Sequence, residues 1–241
     1  MNAYAKPNNG ICLTRLASGI QVYAATISYA DLAALGFFVL TPSMLSPISP
    51  ASDFYVQVLV LAAGHGHRFL ESGGQRHKLQ ALLHGKPVLE HVLDAVKEAG
   101  LLAYVVEPKD GLAKGIGDSI AYGVQQTAEA YGWLILPGDM PLIQAKTLKT
   151  IAGYLMSHPE IDAVQPVWRR QPGHPVAFSS RCAKELRALQ GDVGARAVLK
   201  QLSNQKKVHW IEVEDQGTVH DIDTMADLKS AHQIFAQREE G

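Results

Sequence analysis

Cysteine is nearly absent from this chain of 241 residues, which carries only Cys12 and Cys182, far apart. Such a pair excludes a disulfide framework and, alone, a zinc site, and it points to a reducing cytoplasm. An excess of one charge is lacking too. The 22 basic and 23 acidic residues leave a net charge of −1, so neither nucleic acid nor a membrane surface is expected as a main partner. The 10 histidines leave metal binding open, although a solvated surface accounts for most of them equally well. No apolar run has the length of a membrane span: the weakly apolar stretch from Leu32 to Met44 is too short and is interrupted by Pro42. Charge is also scarce through Ser52, where Lys6, Arg15 and Asp31 stand alone. A signal peptide needs its apolar run close to a basic start, and here the run begins late. The expectation is a poorly ordered extension over residues 1–52, for which an over-long start of translation is one origin. It is joined through Ser46-Pro-Ile-Ser-Pro-Ala-Ser52 to a domain over residues 53–241.

From Val56 onward short apolar runs alternate with amphipathic stretches. Val56 to Ala62 is almost continuously apolar, as a strand buried on both faces requires. Pro87 to Ala99 places Val88, Leu89, Val92, Leu93 and Val96 at helical spacing behind a proline. Strands are expected at Tyr104–Val106, Trp133–Leu136, Ala163–Val167, Val176–Phe178, Val208–Val213 and Val219–Ile222. Helices are expected at Ser119–Ala130, Ala145–Met156, Arg181–Leu189, Ala195–Leu202 and Met225–Phe235. Alternation of this kind implies an α/β layer fold with a mainly parallel sheet.

The first strand opens into Leu61-Ala-Ala-Gly-His-Gly-His-Arg68. Small residues let backbone N–H groups approach an anion, Arg68 offers a bidentate donor, and Lys78 offers a mobile point charge. A Walker loop would end in Gly-Lys-Ser/Thr, and this stretch ends in Arg-His-Lys-Leu. A dinucleotide fingerprint would carry glycine at or beside Phe69. Gly64 and Gly66 would also serve a plain turn, but plain connections run about four to six residues, and this one is longer and carries Arg68, Arg76, His77 and Lys78.

Downstream, Leu136-Pro-Gly-Asp-Met-Pro141 sets Asp139 at the carboxyl end of a buried strand, where ligands of open α/β sheets sit and where a carboxylate can hold a divalent cation. A turn is the competing account, since Pro, Gly and Asp all favour turns. His220-Asp-Ile-Asp-Thr-Met-Ala-Asp227 brings Asp221 and Asp223 to one face of a strand end by the period of two, while Asp223 or Thr224 would equally cap the last helix. Gln171-Pro-Gly-His-Pro-Val176 holds His174 between rigid turn residues. Gly191-Asp-Val-Gly-Ala-Arg196 opens a helix whose free N–H groups and Arg196 would receive an anion, with capping by Asp192 as the alternative.

The order of these motifs resembles the molybdenum cofactor nucleotidyltransferases, most closely the cytidylyltransferase branch. The resemblance rests on Leu61-Ala-Ala-Gly64 with Arg68 and Lys78, then Gly117-Asp-Ser-Ile120, Gly138-Asp-Met-Pro141, Gly173-His-Pro-Val176, Gly191 to Arg196 and Asp221-Ile-Asp-Thr224. It covers Val56 to the last helix. It implies a Rossmann-like nucleotidyltransferase fold of the GT-A-like kind, a three-layer sandwich, working with magnesium. By the resemblance, Arg68, Lys78 and Asp139 would be the catalytic groups, with Arg68 and Lys78 on the triphosphate. Asp139 would be one metal ligand, and either Asp221 or Asp223 the other. Leu61, Ala62, Ala63, Gly64, Gly66 and Ser119 would line the nucleotide, and His174, Asp192 and Arg196 would face the acceptor. Ala62-Ala63 is similar to the cytidylyl branch and favours CTP.

Two departures stand out. The loop between Arg68 and Lys78 is several residues longer than the family's. The interval from Gly100 to Gly115 has no room for the usual extra strand and helix, and Glu107-Pro-Lys-Asp110 replaces the usual asparagine. A sheet smaller by one strand–helix unit is therefore expected. The reading is transfer of a nucleotidyl group from a nucleoside triphosphate to a phosphate-bearing acceptor such as molybdopterin, with a molybdoenzyme or its accessory protein as downstream partner. Its rivals are a sugar- or polyol-phosphate nucleotidyltransferase and a non-catalytic carrier of the cofactor.

Overall fold

A computed structural model of the chain describes residues 12–16, 19–23, 55–64, 66–107 and 115–239. The chain divides into two compact units, Met1–Asp53 and Phe54–Gly241. In the first, β1 (Cys12–Leu16) and β2 (Gly19–Tyr23) pair antiparallel, with Leu16 opposite Gly19 and Cys12 opposite Tyr23. No strand was anticipated there from the sequence. The other expectations for residues 1–52, the apolar stretch and the Ser46–Ser52 linker, lie outside the described residues, as do those for Pro108 to Asp110.

The second unit is built on one twisted sheet. Its strands are β3 (Val56–Leu61), β6 (Leu102–Val106), β7 (Gly132–Pro137), β8 (Ala163–Trp168), β10 (Val176–Ser179) and β11 (Val208–Glu212), in the order β11-β8-β10-β7-β3-β6. Of these six, only β10 runs against its neighbours; β3 is parallel to both β6 and β7, and β11 is parallel to β8. Two-residue strands complete the set: β4 (Leu82–Leu83) pairs with β5 (Lys86–Pro87), and β9 (Gln171–Pro172) extends the end of β8. Only residues 107–115 separate β6 from the next helix, and β6 is the sheet edge among the described residues, in keeping with the smaller sheet expected.

The strands are covered on both faces, which is why they read as unbroken apolar runs. Val56, Val58 and Val60 face a core shared with α2 (Val88–Glu98) and α4 (Ala145–Ser157). Leu59, Trp133, Ile135 and Phe178 face the opposite core, with α3 (Ile116–Gln126), α5 (Ala183–Arg187) and α6 (Arg196–Asn204). Each such side chain stabilises the fold by about 1.5–3 kcal/mol on removal from water. Short α1 (His67–Glu71) and the last helix α7 (Met225–Glu239) meet a third core around Phe69, Leu83, Ile222 and Leu228. α2 shows how local signals set boundaries. Pro87 precedes its first turn, Glu90 and Lys97 suit its dipole, and Gly100 at φ +69° closes it with N–H bonds from Gly100 to Lys97 and from Leu101 to Val96.

One strand expectation is corrected. Val219–Ile222 is not a strand: a 3-10 turn at Gln216–Thr218 leads into irregular backbone. The groups a ladder would need are engaged elsewhere. The Ile222 N–H donates to the Asp139 carbonyl at 2.9 Å, and the Val219 N–H donates to the Gln216 carbonyl at 3.1 Å. Cys182 is a buried free thiol pushed up to about 11 by burial, so it is core rather than nucleophile. Among the described residues no helix is long and apolar enough to cross a membrane.

The segment before α7 is anchored by Asp215, a carboxylate only 2% exposed. It accepts from the Gln144 N–H (2.9 Å), the Thr147 hydroxyl (2.7 Å) and the Gly217 N–H (2.9 Å), and it pairs with Arg238 (3.3 Å). Replacing it by alanine strands these donors, so Asp215→Ala is expected to lose about 3 kcal/mol. Urea denaturation would record this as a lower midpoint at unchanged slope.

Candidate active site

The path β3–α2–β6 lies on one side of β3, and the path β6–α3–β7 returns across it, so the carboxyl ends of β3 and β7 flank a topological switch point. Adjacent loops part there and leave a crevice. The loop after β3 leads to Lys78, and the loop after β7 begins Gly138-Asp139.

Lys78 is the meeting point. Its Nζ lies 2.6 Å from Asp139 Oδ2 and 2.7 Å from Asp223 Oδ1, while Arg68 Nη2 lies 2.7 Å from Asp223 Oδ2. The lysine and both carboxylates are mostly shielded, whereas the Arg68 side chain is 74% exposed and its pairing correspondingly weak. Burial works to lower the Lys78 ammonium, but the charges and hydrogen bonds of Asp139 and Asp223 outweigh it and hold the group above its ordinary value. Burial also raises the Asp139 carboxyl, and Lys78 offsets only part of that rise. The asymmetry has a plain cause: Lys78 has two carboxylate partners, while Asp139 has one ammonium and the nearby charge of Asp221.

Asp223 reaches this cluster through local chemistry rather than a strand end. Thr224 caps α7, with its hydroxyl accepting from the Asp227 N–H at 3.3 Å, and Asp227 accepts from the N–H groups of Thr224 (2.7 Å) and Asp223 (3.2 Å). Together with the Ile222–Asp139 backbone bond, this cap sets Asp223 against Lys78. Asp221 is exposed, yet near enough for its charge to act on Asp139 and His174.

A cleft of about 340 Å³ opens beside Lys78 and Asp139. Leu61, Ala63, Gly64 and His67 form one wall, and Ile116 and Ser119 of α3, with Asp192, form another. Gly115 makes this second wall possible: a Cβ there would lie 2.2 Å from the Gly191 carbonyl carbon, so only glycine lets α3 press against the 191–193 loop. The Gly117 N–H then bonds the Gly191 carbonyl at 2.8 Å.

Three expected residues lie elsewhere. Ala62 is buried, with its N–H bonded to the Val106 carbonyl as an extension of the sheet. Gly66, at φ +66°, starts α1 instead of lining the cleft. Arg196 begins α6 and lines a separate surface groove with Lys200 and Trp210. Asp192 does not cap α6, whose capping position is Ala195.

Residues 58–207, more than half of the chain, match the MobA-like NTP transferase domain. The chain belongs to that family. Among curated relatives, the purine catabolism protein PucB of Bacillus subtilis is 34% identical over 114 residues, covering 46% of this chain and 53% of PucB. The bifunctional protein GlmU of Staphylococcus saprophyticus is 31% identical over 112 residues, covering 39% of this chain and 24% of GlmU. The matched part thus spans about half the length of PucB and about a quarter of GlmU. Among solved structures, a nucleotidyl transferase of Methanothermobacter, Mth528, superposes with a TM-score of 0.62 at 19% identity, over 76% of this chain and 99% of that one. Molybdopterin-guanine dinucleotide biosynthesis protein A of Archaeoglobus fulgidus gives 0.51 at 20% identity, over 75% and 99%. At such identities the likeness is one of fold.

In this MobA-like domain two buried polar atoms have no hydrogen-bond partner among the described residues, Asp139 Oδ1 and His174 Nδ1. Burial lowers the His174 imidazole, against the pull of Asp139 and Asp221, which leaves it neutral at pH 7. An unpaired buried carboxylate oxygen beside two further carboxylates suits a hard divalent cation. No group of three or more His, Cys, Asp or Glu among the described residues already forms a cage. Magnesium fits that pattern, since it commonly takes one or two carboxylates and draws its other ligands from water and substrate phosphates. Two residues were given no role of their own by sequence reasoning, His77, named only among the loop's polar residues and here bonded to the Gly64 carbonyl, and His67 on the cleft wall; a histidine in a polar loop carries no signal that separates it from a solvated one.

Lys78→Met would leave Asp139 and Asp223 without their ammonium and raise the Asp139 carboxyl further. An acid raised in the folded state binds more protons there than when unfolded, so stability falls as pH climbs from the ordinary carboxylate value through the raised one. The variant's deficit, followed by denaturation at several pH values, is expected to be full at neutral pH and to shrink on acidification toward the ordinary carboxylate range.

Proposed function

We propose that this chain is a magnesium-dependent cytidylyltransferase that moves CMP from CTP to a phosphate-bearing acceptor, molybdopterin cofactor, and releases pyrophosphate. The observation that carries the reading is Lys78 held between Asp139 and Asp223 at the mouth of the cleft, with Asp139 Oδ1 unpaired. Membership of the MobA-like family supports nucleotidyl transfer. Choice of CTP is supported by the Ala-Ala pair of Leu61-Ala-Ala-Gly64, and choice of acceptor by the likeness to the Archaeoglobus protein, whose name carries molybdopterin. A cytoplasmic setting follows from the use of CTP.

An acceptor phosphate oxygen attacks the α-phosphorus in line, forming the new oxygen–phosphorus bond as the bond to the β-phosphate breaks. A phosphate nucleophile is already ionised, so no strong general base is required. When bound, magnesium supplies charge neutralisation at the transferring phosphoryl group and the leaving pyrophosphate. Asp139, with Asp221 or Asp223, would hold it. Lys78 and Arg68 would exchange their carboxylate partners for triphosphate oxygens, which keeps both charge sets paired before and after loading. Ala63, Gly64 and Ser119 would lie along the nucleotide, and neutral His174 and Asp192 would face the acceptor. The whole proposal needs Lys78 to move only between partners of like charge.

Pyrophosphate release would be measured with CTP, GTP, ATP and UTP against molybdopterin and simple sugar phosphates. Release with CTP and molybdopterin is expected, and Asp139→Ala should lower it by about a hundredfold or more. Release with sugar phosphates alone would favour a sugar-phosphate nucleotidyltransferase. Tight cofactor binding without release under any nucleotide would favour a carrier protein. Arg68→Ala, at an exposed pair, should change stability by no more than about 1 kcal/mol while raising KM for the nucleotide.

A further inference from the structure

The excursion from Arg68 to Lys78 is longer than a plain connection, and a long loop that must order around a ligand costs conformational entropy. Here it is closed at its base by one side chain. His77 Nε2 lies 2.6 Å from the Gly64 carbonyl oxygen, 13 residues back, and His77 Nδ1 accepts from the Leu79 N–H at 3.4 Å. The same ring packs on Gly66, where a Cβ would sit 3.4 Å from His77 Cδ2 and Nε2. A backbone N–H can only donate and a carbonyl can only accept, so these two contacts together call for the proton on Nε2 and the lone pair on Nδ1. Both ring nitrogens are therefore spent on backbone, one on each side of Lys78's attachment to the cleft: Gly64 lines the cleft, and Leu79 directly follows the lysine.

We infer that His77 is the positioning residue of this loop: it fastens the segment carrying Lys78 to the segment carrying Gly64, and so delivers the ammonium to the triphosphate site. Its functional half rests on the nucleotide-binding reading above; its structural half does not. A histidine serving only solubility would leave its ring nitrogens to water, and one serving only packing would be buried in a core. His77 does neither, since it is half-buried and bonded at both nitrogens. Lys78 in turn makes its two carboxylate contacts from the 3-10 turn that His77 caps.

The test uses the full chain with His77→Phe, which keeps a ring and loses both bonds, and His77→Gln, which can still donate to the Gly64 carbonyl. Calorimetric titration of CTP and GTP, each with magnesium, should show binding weakened about tenfold in H77F and partly restored in H77Q. In turnover the change should appear in KM, with kcat within about twofold. Two readouts need no nucleotide: nitrogen NMR of the imidazole should show the Nε2–H tautomer, and exchange of the Leu79 amide should be faster in H77F. Nucleotide affinity unchanged in H77F, or the Nδ1–H tautomer in the parent protein, overturns the assignment. So does an equal loss of kcat, affinity and thermal stability in both variants. If the parent protein binds neither nucleotide, the nucleotide-binding reading fails, and the tautomer and the Leu79 exchange rate alone decide whether His77 holds the loop.

Discussion

Bringing the shielded carboxylates of Asp139, after β7, and Asp223, before α7, to one point is costly unless a cation stands between them, and Lys78 is that cation. Desolvation of charged groups runs to several kcal/mol each, and close pairing recovers it only with good geometry. The surrounding structure can be read as the means of securing that geometry. β3 and β7 end side by side because the chain reverses its winding at β3, and each contributes the loop that carries one partner. Asp139 is tied through its own carbonyl to Ile222, which brings the Asp223 side chain within reach of the same ammonium. The α7 cap and the buried Asp215 hold the incoming segment on either side. A triphosphate with its metal presents the same pattern of charges in reverse, anions for the cations and a cation for the anions.

The opposite wall of the cleft follows a different constraint, close approach rather than charge. With β6 at the sheet edge and α3 following after a short interval, the first turn of α3 lies directly on the 191–193 loop. Ile116 and Ser119 therefore line the cleft beside Asp192, with Leu61, Ala63 and Gly64 on the other wall. The long loop between Arg68 and Lys78 is a second individual feature. Its length is compatible with order because His77 ties its end to its beginning.

Much was legible in the sequence because the responsible forces act locally or periodically. Val56 to Leu61 reads as a doubly buried strand since each face meets a helical layer, and α2 reads as a helix from the spacing of Val88, Val92 and Val96 between Pro87 and Gly100. The motif order identified the family, and Lys78, Asp139 and Ser119 do meet at one cleft. Reading failed where backbone hydrogen bonds are decided at long range. Val219–Ile222 has the composition of a strand, yet its Ile222 N–H bonds to the loop after β7 and its Val219 N–H turns back onto Gln216. Ala62 has the small size of a ligand contact, but its N–H completes the pairing with β6. Arg196 follows a suggestive glycine loop and then points to another groove, because the helical turn it begins sets its direction.

The sequence by itself determined the layered α/β class, the family and the cast of charged groups, since apolar periodicity and motif spacing are properties of the chain. Only the tertiary structure decided which of those groups meet. Lys78 and Asp223 are 145 residues apart, and no local preference relates them. Their contact exists because strand order, a backbone bond to Asp139 and the cap of α7 converge on one point, where leaving a shielded charge unpaired would cost a large share of the fold's stability.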